Sequence, residues 1–479
     1  MNHSNRPFDC THLQPLALSR RDMLKSVSAG FGYLAFAGLS ATAAAPYQSP
    51  LLPKAPHFAA RAKRVIFLSM QGGPSHLDTF DYKPKLIADA GKGGPGKGKL
   101  VAPAAEFKQR GQSGLWISEA FRNVAKHADD LCLLRGMHTD IPNHPQAFVQ
   151  MHTGSARFVR PSLGAWTLYG LGTENQNLPG FITIAAPVAL GGAQNYGSAF
   201  LPASYQGTRL DMPGDVEAKG NRKNKGDMAE KTEGIGNIRN THLSPAAQRE
   251  QLDLVQSMNR DLLAARGGNP EVEGVIQSYE LAFRMQTEIP KVMDMSKESA
   301  ATLQSYGIGQ GPTNSFGKQC LMARRFAEAG VRFIEVCHQG WDHHNGLKGR
   351  IASSCNAVDQ PIAALLADLK QRDLLKDTLV IWGGEFGRTP DNAGADGRGH
   401  NSKGYTMWLA GGGIKPGFSF GATDDYGGKA VENKFHVHDL HATILHQLGL
   451  DHEKLTYRYA GRDFRLTDVF GQVPKEILA

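Results

Sequence analysis

The chain has 479 residues, 41% hydrophobic and 20% charged, a balance that supplies a sizeable core and excludes a disordered or fibrous polypeptide. The formal net charge of +8 comes without a nucleic-acid-binding motif, and the basic residues of the 218–231 stretch are diluted by Asp and Glu. Nucleic acid is therefore not an expected partner, whereas a modest positive field suits anionic esters or polysaccharides.

The chain opens on a targeting pattern. Ser19-Arg20-Arg21-Asp22-Met23-Leu24-Lys25 matches the twin-arginine signature, a Gly- and Ala-rich stretch runs from Ser26 to Ser40, and Ala41, Ala43, Ala44 and Ala45 offer a cleavage site. Residues 1–45 are expected to be a signal read by the twin-arginine export machinery, which places the mature chain in the periplasm or outside the cell. Whether the signal is cleaved or kept as an anchor stays open. That route carries folded proteins, often after cofactor loading, which hints at a bound metal. Beyond this region no apolar run is long enough to cross a bilayer, so no transmembrane helix is expected in the mature chain. Of the five cysteines, Cys132, Cys320, Cys337 and Cys355 lie in the mature part; they lack CxxC or zinc-ribbon spacing and read as buried apolar residues, with a disulfide left open.

Residues 46–479 are predicted to form one α/β domain. Val65–Leu68 reads as the first buried strand, and similar runs recur at 181–185, 331–336, 378–382 and 405–409. Amphipathic helices are predicted between several of them, over 117–127, 317–329, 355–371 and 438–448. Alternation of this kind argues for a mostly parallel sheet covered on both faces, with function at the carboxyl ends of the strands. A polar loop and a helical insertion are expected at about 205–301.

Five polar constellations stand out, three of them directly after expected strands. The first is Gln71-Gly72-Gly73-Pro74-Ser75-His76-Leu77-Asp78: His76 and Asp78 are candidate metal ligands, and Ser75 reads as a helix cap with Asp78 at its third position. Next comes a loop with His138, Asp140, His144 and His152, in which at least one histidine is expected to function, though spacing does not say which. The third is Gly340-Trp341-Asp342-His343-His344, where Asp342 and His344 can reach one cation. In Gly383-Gly384-Glu385-Phe386-Gly387-Arg388, Glu385 is a candidate ligand. Arg388 is read either as an anion-binding fork or as an ion-pair partner of Glu385, and His400 follows in a Gly-rich loop. The last is His436-Val437-His438-Asp439-Leu440-His441, where Asp439 is expected to cap a helix carrying His441. Together they favour a multi-ligand polar site.

The segments GGPSHLDTFDYKP, GWDHH, GGEFGRTP and HDLHATILHQLGLD, behind a twin-arginine signal, resemble the family called domain of unknown function 1501, which is grouped with the alkaline-phosphatase-like superfamily. The resemblance implies a three-layer α/β/α fold and a metal-dependent hydrolase site at the strand ends. The implied cofactor is a divalent zinc, manganese, magnesium or calcium ion, held by members of the set His76, Asp78, Asp342, His344, Glu385, His400 and His441. This chain departs from the superfamily pattern: Gln71 stands where an Asp is usual, and the nucleophile position, counted back from Thr153-Gly154, falls on His144. His144 is thus a candidate catalytic residue, as ligand, general base or covalent acceptor, with Arg388 steadying the anion. Two functions compete: a metal-dependent hydrolase of phosphate or sulfate esters, and a secreted non-catalytic protein that holds a polysaccharide or a partner protein in the old cleft.

Overall fold

Runs of apolar residues bounded by glycine and proline become the strands of one mixed sheet. A computed structural model describes residues 49–96, 98–211, 242–265, 270–392 and 396–479, and within it Pro50–Ala479 is one compact unit. The expected signal segment and most of the polar 205–240 loop lie outside the described residues.

The sheet strands are β1 (Arg64–Met70), β2 (Leu131–His138), β3 (Phe181–Ile184), β4 (Thr208–Leu210), β5 (Phe333–His338), β6 (Thr378–Gly383), β7 (Tyr405–Ala410), β8 (Phe418–Phe420) and β9 (Phe435–His436). Their order is β8-β2-β7-β6-β1-β5-β3-β4, with β9 also paired to β2. All pairs are parallel except those of β7, which runs antiparallel to both β2 and β6.

Strand β1 sits at the centre, and its alternating side chains feed two separate cores. Ile66, Leu68 and Met70 pack on one face with α5 (Asn314–Glu328) and α6 (Leu347–Gln371). Val65 and Phe67 pack on the other with α2 (Leu163–Leu171) and α7 (Val437–Gln447). A sheet buried on both faces needs the near-continuous apolar runs seen in the sequence. Helix α1 (His144–Thr153) follows β2, and α3 (Pro245–Ala265) and α4 (Pro270–Met293) form the expected helical insertion, tied together by an Arg249–Glu280 ion pair at 3.0 Å.

Three expectations are corrected here. The helix expected over 117–127 is two short 3-10 turns, Glu119–Phe121 and Val124–Asp130. Between them the amides of Asn123 and Val124 donate to the Asp359 carboxylate on α6, at 2.8–3.1 Å, so a distant acid takes the donors a continuous helix would use. Ser75 does not cap a backbone amide; its hydroxyl donates to the Asp78 carboxylate. On α7 the cap is His436 and not Asp439: His436 Nδ1 accepts from His438 N at 3.2 Å, and Asp439 at the third position accepts from His436 N at 2.8 Å. Asp439→Ala removes half of that reciprocal cap, and urea unfolding is expected to show a loss of about 1 kcal/mol. The four cysteines of this unit are buried and free.

Candidate metal centre

The topology delivers five loops to one edge of the sheet. Strands β1, β2, β5 and β6 all end there, and antiparallel β7 begins there, so residues far apart in sequence meet over the carboxyl ends. Gly72 after β1 makes the meeting close: it holds φ +108°, and a Cβ on it would stand 2.7 Å from Asp342 N, so only glycine fits.

Asp342, half-exposed after β5, is the hub. His144 Nε2 lies 3.2 Å from its Oδ1, His344 Nε2 2.9 Å, His400 Nε2 3.4 Å and Arg388 Nη2 2.5 Å. Ligand atoms of His144, Asp342 and His400 all fall within 4.8 Å of one another. The two imidazoles are oriented from behind. His144 Nδ1 meets Glu385 Oε1 at 2.5 Å, and Glu385, fully buried after β6, is itself held by Gly72 N at 3.1 Å. His400 Nδ1 donates to the Pro142 carbonyl at 2.9 Å. With both Nδ1 atoms committed, both Nε2 atoms present lone pairs toward the Asp342 oxygen. His144 Nε2 is buried and makes no hydrogen bond.

Two lone pairs and a carboxylate aimed at one point repel unless positive charge stands between them. Without a metal, protons must supply it. Burial alone would depress His144, but the carboxylates of Asp342 and Glu385 outweigh it and raise the imidazole to about 9. Burial likewise opposes ionisation of Asp342, yet His144, His400 and Arg388 hold its carboxyl far below the usual range. A divalent cation satisfies the same geometry, and imidazoles whose second nitrogen is fixed by a carboxylate or a backbone carbonyl are the usual metal-ligand arrangement.

A model of the family described as protein of unknown function DUF1501 matches residues 62–478. The chain belongs to that family. Among curated proteins none matches. Solved structures share only a distant likeness. The PsFucS1 sulfatase from Pseudoalteromonas sp. is 13% identical over 82% of this chain and 69% of its own, with TM-score 0.37. The lipoteichoic acid synthase LtaP from Listeria monocytogenes is 9% identical over 87% and 78%, also at 0.37. The alkaline phosphatase from the Antarctic bacterium TAB5 is 12% identical over 82% and 98%, at 0.31.

In this member of the DUF1501 family the structure brings His144, Asp342, His344, Glu385, Arg388 and His400 together, and places the other candidates elsewhere. Asp78 is fully buried in an ion pair with Arg398, Oδ2 to Nε 2.7 Å, and also accepts from Ala104 N at 2.7 Å, so its oxygens are already committed. His76 is buried with Nε2 donating to Gly427 O at 2.9 Å. His441 is buried on α7 with Nε2 donating to Met151 O at 2.7 Å, and burial pushes it down to about 3. Arg388 is fully buried, donating to the carbonyls of Gly72 and Gly73 and to Asp342. It therefore positions Asp342 and keeps no donor turned outward for an anion, and it does not pair with Glu385. Of the histidines around α1, His152 pairs with buried Glu335 at 2.6 Å, and His144 alone reaches the cluster. The Pro142 carbonyl that orients His400 carried no sequence signal, because a backbone acceptor has no residue identity.

Proposed function

We propose that this protein is an exported metal-dependent hydrolase of phosphate or sulfate esters, with His144, Asp342 and His400 holding a divalent ion. One observation carries the reading: the Nε2 lone pairs of two imidazoles, each locked by its other nitrogen, converge on one carboxylate oxygen. Two imidazole nitrogens and one carboxylate suit zinc or manganese better than magnesium or calcium, which prefer all-oxygen shells. Such an ion supplies positive charge beside the oxygens of an ester as negative charge develops on them.

The chain's own residues do the rest. Glu385 orients His144 and raises its basicity, Arg388 fixes the Asp342 carboxylate, and Phe386 packs 4.6 Å from the His144 ring to restrain its tilt. His344, about half-exposed and 2.9 Å from both Asp342 Oδ1 and His400 Nε2, stands on the open side, where it can carry a proton to a leaving oxygen.

The test is a panel of aryl phosphate and sulfate esters, assayed after metal stripping and after repletion with zinc or manganese. Turnover should return with metal in the wild type and fall at least 100-fold in Asp342→Ala. Equal turnover in that variant sinks the assignment. The second reading, a secreted non-catalytic binding protein, is favoured by the commitment of every turned-in Arg388 donor to protein oxygens; it predicts saturable ligand binding with no ester turned over under any metal.

A further inference from the structure

Beside the α1 carboxyl end lies a surface that the metal centre does not use. Three hollows of about 530, 350 and 680 Å³ adjoin one another. The first two share Asp140, His438 and Phe470, and the second and third share Arg160 and Phe200, so they form one continuous groove. Ile141, three residues before His144, lines its middle. Helix α1 spans the 10 residues between the metal centre and the groove wall at Gly154, about 15 Å.

Large apolar side chains gather along it. Phe158, Val159 and Phe470 are 63%, 63% and 57% exposed, although single exposed residues scattered over a surface are the norm. Phe200 stacks on Tyr459 at 5.0 Å and 16° and on Tyr457 at 6.0 Å and 18°, which builds a layered platform of rings in which Tyr459 stays 49% exposed.

Arg160 stands over this platform, 4.4 Å from the Phe464 ring centroid and 5.2 Å from that of Phe158. The neighbouring Arg462 and Arg465 are engaged by Asp468. Among the described residues, no acidic side chain pairs with Arg160 or Arg157. Asp468 lies in the same hollow without forming a close ion pair with Arg160, so this guanidinium, half-buried among aromatic rings, keeps a planar fork that fits sulfate, phosphate or carboxylate oxygens.

We propose that this groove binds an extended anionic polysaccharide, its sugar faces lying on the Phe200–Tyr459 platform and a sulfate or carboxylate group meeting Arg160. Pyranose rings present flat C–H faces that match stacked aromatic rings, and regularly spaced anions match the unpaired guanidinium. The groove thereby anchors a polymer whose ester is offered to the metal centre past the Asp140–His144 loop. This deepens the hydrolase reading by naming the class of its substrate, and because binding is read without turnover the two can fail separately.

The experiment is calorimetric titration of the whole mature chain, with no metal added, using dextran sulfate, uncharged dextran, polyglutamate and inorganic sulfate as probes. Wild type should bind dextran sulfate at least 10-fold more tightly than polyglutamate and should not bind dextran. Arg160→Gln should weaken dextran sulfate binding at least 10-fold, and Arg160→Lys, which keeps the charge but loses the fork, should fall between. Lys376→Gln removes the same charge next to the amino end of β6 and should stay within twofold of wild type. Near-ultraviolet circular dichroism confirms that each variant is folded. Equal weakening in Arg160→Gln and Lys376→Gln overturns the proposal as net-charge attraction. Polyglutamate binding as tight as dextran sulfate overturns it in favour of an acidic peptide, and inorganic sulfate matching the polymer's affinity reduces the groove to a single-ion pocket.

Discussion

Arg398→Met is expected to destabilise the fold by about 3–5 kcal/mol, because it takes away the guanidinium that pairs with Asp78 in a site with no exposure to water. The remaining donors, Ala104 N and the Ser75 hydroxyl, satisfy lone pairs but supply no formal charge. Arg398 also bonds the carbonyls of Val101, Ala102, Thr389 and Pro390, so the substitution strands acceptors as well. The pair ties the β1 loop to the segment that carries His400, which makes it part of the scaffold of the site. Urea unfolding measures the loss. The double variant Asp78→Leu/Arg398→Met, which removes both charges, should recover part of it; a single-variant loss below about 1 kcal/mol would contradict the buried-pair account.

Acid should begin to destabilise this protein above the carboxylate range. Burial pushes His338 down to about 4 and His441 down to about 3, against an ordinary 6.5. Above pH 6.5 both are neutral in the folded and unfolded chains, so the stability they allow is fully present. Below 6.5 the unfolded chain takes up protons that the folded chain refuses, and stability is lost progressively until the folded values are reached. Each group costs about 1.4 kcal/mol per pH unit, so the two together remove about 5 kcal/mol between pH 6.5 and 4.5. His144, raised to about 9, works in the opposite sense: its contribution is whole below 6.5 and disappears as pH rises through 9, so it does not mask the acid limb. Urea midpoints of metal-stripped protein across that range should fall steadily. His441→Gln, which keeps a donor for Met151 O, should flatten the slope by about one group's worth. A midpoint constant from 6.5 to 4.5 would refute this reading.

The strands legible in the sequence were those long and apolar enough to be buried on both faces. Val65–Leu68, the 331–336 run, the 378–382 run and the 405–409 run all sit in the middle of the sheet, and the 181–185 run is the four-residue β3, one strand in from the edge but likewise buried. Strand β2 has no counterpart among the expected runs: its apolar start at Leu131–Leu134 is broken by Arg135 and Gly136 before the strand ends at His138. The short edge strands β4, β8 and β9 span only two or three residues and carry no period to detect.

The site divides in the same way. Asp342, His344 and Glu385 are visible as polar residues after an expected strand, His144 and His400 only as histidines within polar loops, and all five do meet. What composition could not separate was ligand from scaffold. Asp78 and Arg388 have the residue types of a metal site, yet each is saturated by partners that topology brings from far along the chain, Arg398 for one and the Gly72 and Gly73 carbonyls after β1 for the other. His441 has the spacing of a helical ligand, but α7 turns it into the core.

Metal content by plasma mass spectrometry reads out whether His144, Asp342 and His400 hold a metal ion. Purified wild-type protein would be compared with Asp342→Ala, His400→Ala and His441→Gln. About one divalent ion per chain is expected in wild type and in His441→Gln, and little in the other two. A correctly folded wild type without metal, or an ion retained in Asp342→Ala and lost in His441→Gln, would contradict it.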